Sequence, residues 1–149
     1  MFINGKQTKF KKKIFYKTDK TIEIEIKFVF DHKLKKLDKM FFGCNFKSIK
    51  FVNVDTSLVK SMEDMFTGCY DLKSVDLTCF NTKNVKNMTR LFFCCSNLLE
   101  VDLSSFDFTN VEEMILIDGR SSIQKVILRK DKNKEKVKKN ICTKNIIFK

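Results

Sequence analysis

The sequence predicts an α/β repeat fold, a solenoid of about five rungs with an N-terminal β-hairpin cap, each rung being one turn of the chain around the solenoid. Each rung contributes one short parallel strand and one short helix per 25 to 26 residues. Three observations predict this fold: a five-residue motif that recurs at that period, apolar pairs spaced as in a strand, and apolar residues between them spaced as in a helix.

The motif recurs three times along the chain. Residues 40–44 read Met-Phe-Phe-Gly-Cys, residues 65–69 read Met-Phe-Thr-Gly-Cys and residues 91–95 read Leu-Phe-Phe-Cys-Cys, so the period is 25 and then 26 residues. At the same offset Leu77 aligns with Leu103. The recurrence of the motif, together with the alignment of Leu77 with Leu103, indicates a repeated structural unit.

The strands are predicted from apolar residues at positions i and i+2. Such residues lie on one side of a strand, so both point inward and the residue between them points outward. Five pairs recur at steps of 25 or 26 residues, and each predicts one strand. The pairs are Ile24 and Ile26, Ile49 and Phe51, Val75 and Leu77, Val101 and Leu103, and Val126 and Leu128.

The helices are predicted from apolar residues at i, i+3, i+7 and i+10, the spacing of one helical face. Residues 109–112 have the Thr-x-x-Glu form of a capping box, which predicts that one helix begins near Thr109. Asn81 and Asp107 are turn formers where the chain leaves a strand. The predicted helical faces are Leu34, Leu37, Phe41 and Cys44, and Val85, Met88, Phe92 and Cys95.

A unit of this size cannot bury its own apolar face, so the units must stack. Stacking places parallel strands about 4.8 Å apart and forms ladders of like residues in a right-handed, leucine-rich-repeat-like solenoid. We expect residues 1–21 to form the hairpin cap, whose turn is Asn4-Gly5. Residues 22–128 form the solenoid, and residues 129–149 a basic C-terminal cap or tail. Within that tail, residues 141–148 are apolar enough to cover the last rung.

The repeats of residues 40–114 resemble those of the BspA-like leucine-rich-repeat surface proteins, through the pattern Met-Phe-x-Gly-Cys-x-x-Leu-x-x-Val-x-Leu. The repeats of that family are mostly of uncharacterised function. The resemblance implies a secreted or surface-attached protein that acts in adhesion or partner binding. It brings no catalytic residues. Residues 1–16 contain no apolar segment of the kind that a secretory signal needs, which instead favours an intracellular protein.

Six cysteines raise the possibility of a metal site. Cys44, Cys69 and Cys95 occupy one position of the repeat, and Ser121 takes that position in the next unit. Zinc ligands converge on one point, whereas this spacing produces a ladder. We expect buried thiols without a metal or cofactor. Reduced thiols also favour a reducing compartment.

Nothing in the sequence predicts an enzyme. His32 is the only histidine and is predicted to be a surface turn residue. Asp76 and Asp102 share one repeat position, but Lys50 and Ile127 share it too, which indicates outward strand residues rather than a catalytic pair. The longest uncharged stretch, residues 91–99, is far shorter than a membrane span of about 18 residues or more.

The net charge of +12 suggests an anionic partner. Residues 1–39 carry +7, residues 40–116 carry −3 and residues 117–149 carry +8, so the positive charge lies at the two ends. One hypothesis is therefore a nucleic-acid-binding or anionic-surface-binding protein. Its anion-binding residues would be Lys11, Lys12, Lys13, Lys136, Lys138 and Lys139.

The leading hypothesis is a non-catalytic module that binds a protein or glycan partner on the exposed face of its strands, because stacked repeats create an extended surface there. A further alternative is a structural protein that assembles through its end rungs, since the edges of sheets invite strand addition. The predicted partner-binding residues are Lys50, Ser74, Asp76, Thr78, Glu100, Asp102 and Ser104.

Overall fold

The computed structural model describes residues 2–3, 6–7, 10–16, 22–28, 34–51, 54–118, 120–130, 133–141 and 145–149. Side chains are described from residue 34 onward, and His32 lies outside the described residues. The described chain consists mostly of short parallel strands, with very little helix. The strands are β1 (Phe2–Ile3), β2 (Lys6–Gln7), β3 (Phe10–Tyr16), β4 (Ile22–Phe28), β5 (Ser48–Lys50), β6 (Ser74–Asp76), β7 (Glu100–Asp102), β8 (Lys125–Leu128) and β9 (Asn145–Phe148), and the helix is α1 (Lys134–Lys138).

The N-terminal strands form antiparallel pairs. β1 pairs with β2, with Phe2 opposite Gln7, on the two sides of Asn4-Gly5, which itself lies outside the described residues. β3 pairs with β4, so that Ile24 lies opposite Ile14. The strand predicted to be the first rung is therefore one arm of an antiparallel hairpin.

The later strands are parallel and align equivalent positions of successive repeats. Ile49 of β5 lies opposite Val75 of β6, and Val101 of β7 lies opposite Val126 of β8. β9 extends the second of these sheets, with Ile146 opposite Val126. β6 lies beside β7, although the two belong to different sheets. The register is thus as predicted between β5 and β6 and between β7 and β8.

A second line of parallel contacts connects the repeats. Isolated bridges join Lys36 to Ser61, Ser61 to Asn87 and Asn87 to Glu113, at the same 25- and 26-residue steps. A fourth bridge joins residues 117 and 141 near the C-terminal end. Main-chain hydrogen bonds accompany these bridges, because each repeat donates N–H groups to carbonyl oxygens of the next.

The prediction of one helix per repeat is wrong for the described residues, where the segments between β5 and β8 are hydrogen-bonded turns. Val85, Met88, Phe92 and Cys95 are all fully buried, so the inward face was assigned correctly. However, Met88 donates its N–H to Glu113 O at 2.9 Å, in the next repeat, rather than to a residue four positions earlier. The same apolar spacing therefore arises from a folded, non-helical segment.

Left-handed residues exclude a continuous helix in these segments. Asp64 and Arg90 share one repeat position and both have φ of 56°. Four residues later, Gly68 has φ of 73° and Cys94 has φ of 58°. A right-handed helix needs negative φ at every residue, so two such positions per repeat end any helical turn. Gly68 adopts this conformation at low cost, whereas Cys94 does so with a Cβ atom present.

The predicted capping box likewise begins no helix. Thr109 and Asn110 form a turn, and Glu112 donates its N–H to Lys86 O at 2.7 Å in the preceding repeat. The turn prediction for Asn81 and Asp107 is confirmed, because the side-chain oxygen of each accepts the N–H two residues later, at 3.2 and 2.9 Å. These are Asx turns, which need no helix to follow them.

Phenylalanine rings form the centre of the core. Phe41, Phe66 and Phe92 occupy one repeat position, are buried, and stack with centroid separations of 5.5 Å and interplanar angles of 8° and 6°. Stacked rings at this distance bury large apolar surfaces in a defined geometry. At the C-terminal end, Val137 of α1 is buried and Phe148 of β9 packs against the core.

We expect replacement of a core ladder residue to be far more costly than replacement on the outer side of a strand. Leu103 is fully buried, so Leu103→Ala should lower the free energy of unfolding by about 2 to 5 kcal/mol. Ser74 is exposed, so Ser74→Ala should change it by less than about 0.5 kcal/mol. Urea denaturation measures both values, and equal costs would contradict the inward and outward assignment.

Candidate partner-binding face

We use the name strand face for the outward side of β5, β6 and β7 together with the turns that follow β6 and β7. Lys50, Ser74, Thr78 and Glu100 are exposed, and the other predicted residues are partly buried. The parallel register brings equivalent positions of neighbouring repeats side by side. The strand face consists of Lys50, Ser74, Asp76, Thr78, Glu100, Asp102 and Ser104.

The charges of the strand face are compensated across neighbouring strands. Lys50 Nζ lies 3.4 Å from Asp76 Oδ2, and Lys125 Nζ lies 2.8 Å from Glu100 Oε2. Lys149, after β9, pairs with Asp102 at 3.0 Å. Each carboxylate thus has a lysine from another strand. The seven residues of the strand face carry one lysine and three carboxylates, and this negative charge is divided into ion pairs rather than concentrated in an acidic patch.

The two aspartates also hold the turns that follow their strands. Asp76 Oδ1 accepts hydrogen bonds from Thr78 N at 3.1 Å and Thr78 Oγ1 at 2.6 Å, and Asp102 Oδ1 accepts one from Ser104 N at 2.9 Å. The bonds from Thr78 hold the pKa of Asp76 below its usual value. Burial raises the pKa of Asp102, but hydrogen bonds from Ser104 and Lys149 outweigh it and the pKa is lowered. Both carboxylates are therefore parts of the fold as well as of the surface.

Ile127 takes the outward position that its repeat alignment predicts, but it is buried there. It lies between Asp102 of β7 and Ile147 of β9 and is buried, with 6% of its surface exposed, yet it is not part of the main core. The ion pair between Lys149 and Asp102 joins the two strands on either side of β8. The added strand β9 thus covers an apolar residue on the outer side of the sheet.

A charged group that the sequence did not predict lies among the turns. Arg90 Nε donates to Asp64 Oδ1 at 2.7 Å, and Arg90 Nη2 donates to Asp64 Oδ2 at 2.8 Å and Glu63 Oε1 at 3.0 Å. Thr67 Oγ1 lies 3.0 Å from Asp64 Oδ1 and 2.7 Å from Arg90 O. Asp64 is buried, so a forked arginine contact is the geometry that best compensates its charge. The only signal in the sequence is that Asp64 and Arg90 share one repeat position.

The cysteine ladder is joined to the main chain of neighbouring repeats. Cys69 and Cys95 are buried as predicted, whereas Cys44 is only partly buried. The thiols of Cys69 and Cys95 donate to Phe41 O at 3.0 Å and Phe66 O at 3.2 Å. Ser121 makes the equivalent bond to Phe92 O. Burial raises the pKa of the Cys69 thiol to about 11 and that of Cys95 to about 12. Both thiols are therefore protonated at neutral pH and are poor metal ligands in this state.

The lysines predicted to bind anions lie in two places. Lys11, Lys12 and Lys13 belong to β3, and their side chains are outside the described residues. Lys136 and Lys138 flank the end of α1, where Lys136 Nζ donates to Val111 O. Lys138 pairs with Glu135 at 3.1 Å and lies 5.2 Å from the Phe148 ring centroid. Lys139 is exposed. Lys136 thus joins the C-terminal segment to the repeats, whereas Lys138 contacts residues of that segment.

The described residues contain neither a metal-binding cluster nor a membrane-spanning helix. In that part of the chain no three histidine, cysteine, aspartate or glutamate residues lie close enough together to hold a metal ion. The same residues contain no helix with the length and apolar character that crossing a bilayer requires. Cys142, the sixth cysteine, is outside them.

Comparison with protein-family models finds one match, described as "Mycoplasma protein of unknown function, DUF285", over residues 8–127. The chain belongs to this family. The match includes all three copies of the five-residue motif and the strands from β3 to β7. No curated protein and no solved structure matches this DUF285 chain.

The pairing of Asp64 with Arg90 predicts how the stability of the chain responds to acid. Because the Arg90 hydrogen bonds lower the pKa of Asp64 in the folded state, this pair stabilises the fold above the unfolded pKa of about 3.9. That contribution is lost as the pH falls through the lower folded pKa. Arg90→Ala should destabilise the protein at neutral pH and weaken the acid dependence of its unfolding free energy. Urea unfolding at pH values from about 7 to 2 measures both effects.

The matched control for that experiment is Arg120→Ala. Arg120 is exposed and lies 5.8 Å from the centroid of the Phe93 ring, without a carboxylate partner among the described residues. It should leave the acid dependence unchanged. Identical acid profiles for Arg90→Ala and the unmodified chain would contradict a structural role for the pair.

Thiol labelling should separate the cysteines by burial. Cys79 is exposed, so a thiol reagent at about pH 8 should modify it in the folded protein, while Cys69 and Cys95 react only after unfolding. Cys79→Ser should remove one equivalent of rapid labelling. Mass spectrometry of the labelled protein identifies the sites, and labelling of Cys95 as fast as that of Cys79 would refute the buried ladder.

Proposed function

We propose that this DUF285 chain is a non-catalytic binding module that recognises a protein or glycan partner through its strand face. The observation that carries the proposal is the in-register placement of polar side chains from successive repeats on short parallel strands. Contacts made there add from repeat to repeat without ordering a loop. Little conformational entropy is then lost on binding.

The same proposal includes the finer form of the fold. We propose a leucine-rich-repeat-like solenoid of the BspA-like type, in which each repeat is one rung. Support comes from the parallel register at the 25- and 26-residue steps, and from bridges that connect four successive repeats on a second side of the unit. Stacked units of this kind present one extended surface per side.

The ion pairs of the strand face suit reversible binding. Lys50, Glu100 and Lys125 are partly or largely exposed, and exposed pairs of this type contribute only about 0 to 1 kcal/mol each. A partner with complementary charges can therefore replace them at small cost. Such charges chiefly set the register and the rate of association.

The chemistry of the two aspartates supports a non-catalytic role. A general acid or base works best with a pKa near the working pH. Asp76 and Asp102 both have a lowered pKa, because they accept hydrogen bonds from the turns that follow them. Their carboxylates are thus suited to forming turns and ion pairs rather than to transferring protons.

The test changes the strand face without breaking those turns. Ser74→Lys with Glu100→Lys adds three positive charges at exposed positions whose side chains do not hold a turn. Proteins and glycans captured from the source cell by the unmodified chain should be lost from this variant. Thermal unfolding of the two proteins should differ little, because neither position is buried and the exposed pair of Glu100 with Lys125 contributes about 0 to 1 kcal/mol.

The matched control is Asp71→Lys with Ser96→Lys, which adds the same charge at exposed positions outside the strand face. Its captured partners should equal those of the unmodified chain. Retention of the same partners by the strand-face variant would show that binding occurs on another side of the repeats.

A further inference from the structure

One position of the repeat carries a row of charges that the strand face does not include. Lys35, Lys60, Lys86 and Glu112 lie side by side in successive repeats. Lys60 donates its N–H to Lys35 O at 2.9 Å, Lys86 to Lys60 O at 2.8 Å and Glu112 to Lys86 O at 2.7 Å. We call the first three residues the lysine ladder. Because their backbones are hydrogen-bonded neighbours, their side chains emerge about 4.8 Å apart.

The lysine ladder is exposed and only partly compensated. All three lysines are exposed, and Lys86 pairs with Glu112 at 2.7 Å. For Lys35 and Lys60, the described residues provide no ion-pair partner. The Lys86 hydrogen bond and charge, with a smaller contribution from Lys136, lower the pKa of Glu112. The Glu112 carboxylate therefore compensates Lys86 and Lys136 rather than Lys35 or Lys60.

Like charges directly opposite each other on neighbouring strands are destabilising. Lys60 has such a neighbour on both sides, in Lys35 and Lys86. The strand face shows the contrasting arrangement, in which each carboxylate has a lysine partner from another strand. A bound anion would relieve the repulsion within the lysine ladder.

We propose that the lysine ladder is a second binding site, which takes a linear polyanion of the acidic-polysaccharide class. This goes beyond the proposed function, since the ladder lies apart from the strand face. A linear polyanion fits because three exposed lysines follow one another in one direction across the repeats. Release of counterions from such a polymer makes binding favourable and dependent on salt.

The residues around the lysine ladder favour a sugar polymer over a nucleic acid. Val59 and Val85, each one residue before a ladder lysine, are buried, and Ser61 and Asn87 follow. None of these is an aromatic ring on which a base could stack. Asn84 is exposed two residues before Lys86, and its amide donates to Ser57 O at 2.8 Å. We assign the amide oxygen of Asn84 the role of accepting hydrogen bonds from sugar hydroxyls.

The experiment measures binding of the intact chain to heparin, a sulfated polysaccharide, at about 50 and 200 mM salt. The ladder variant is Lys35→Gln with Lys60→Gln and Lys86→Gln. The matched control, Lys73→Gln with Lys130→Gln and Lys139→Gln, removes the same charge from exposed lysines that do not adjoin one another at one repeat position. The ladder variant should bind at least about tenfold more weakly at the lower salt and show a shallower salt dependence, and the control should bind nearly as the unmodified chain does.

Thermal unfolding at low salt gives an independent readout and shows that the variant is folded. Removing the like charges around Lys60 should leave the midpoint unchanged or raise it. Three results would each overturn the proposal: no heparin binding by the unmodified chain, equal losses in the ladder variant and the control, or a ladder-dependent affinity for single-stranded DNA that equals the affinity for heparin. An unchanged unfolding midpoint of the ladder variant, together with its weaker binding to heparin, supports the proposal.

Discussion

Main-chain hydrogen bonds between one repeat and the next are the interaction on which the rest of the structure depends. Lys73 donates to Lys47 O at 2.8 Å and Gly68 donates to Phe93 O at 2.8 Å, at equivalent offsets in different parts of the repeat. These bonds hold neighbouring repeats in register on more than one side. Residues at one repeat position must then lie next to each other, which is why phenylalanine, cysteine and lysine each form a row.

Buried polar groups in such a structure must find partners in the neighbouring repeat. Thr56 and Thr82 are buried. The hydroxyl of Thr56 lies within hydrogen-bond distance of the main chain of Asn81, and that of Thr82 of the main chain of Asp107, each in the following repeat. Cys95 and Ser121 bond the repeat before them in the same way. A thiol and a hydroxyl can therefore alternate at one buried position, because the acceptor is a main-chain carbonyl that is present in every repeat.

Periodicity predicted what depends only on position within the repeat. Leu77, Leu103 and Val126 are buried and the parallel register is correct because both follow from the 25- and 26-residue steps. The helix prediction is wrong because turns whose N–H groups bond the next repeat produce the same apolar spacing. β9 follows β8 at a 20-residue step, so the period could not predict its pairing, the burial of Ile127 or the ion pair of Asp102.

Selection for stability alone does not explain which charges occupy the outer positions of the repeat. Inner rows must consist of similar residues because the core continues through them, but an outer row is free to alternate charges. The strand face pairs each of its charges with an opposite charge, and such exposed pairs contribute about 0 to 1 kcal/mol each. The lysine ladder does not, although a single glutamate in place of Lys60 would give it opposite charges at every step. Binding of an anion from outside the chain would explain why three lysines stay side by side at this position.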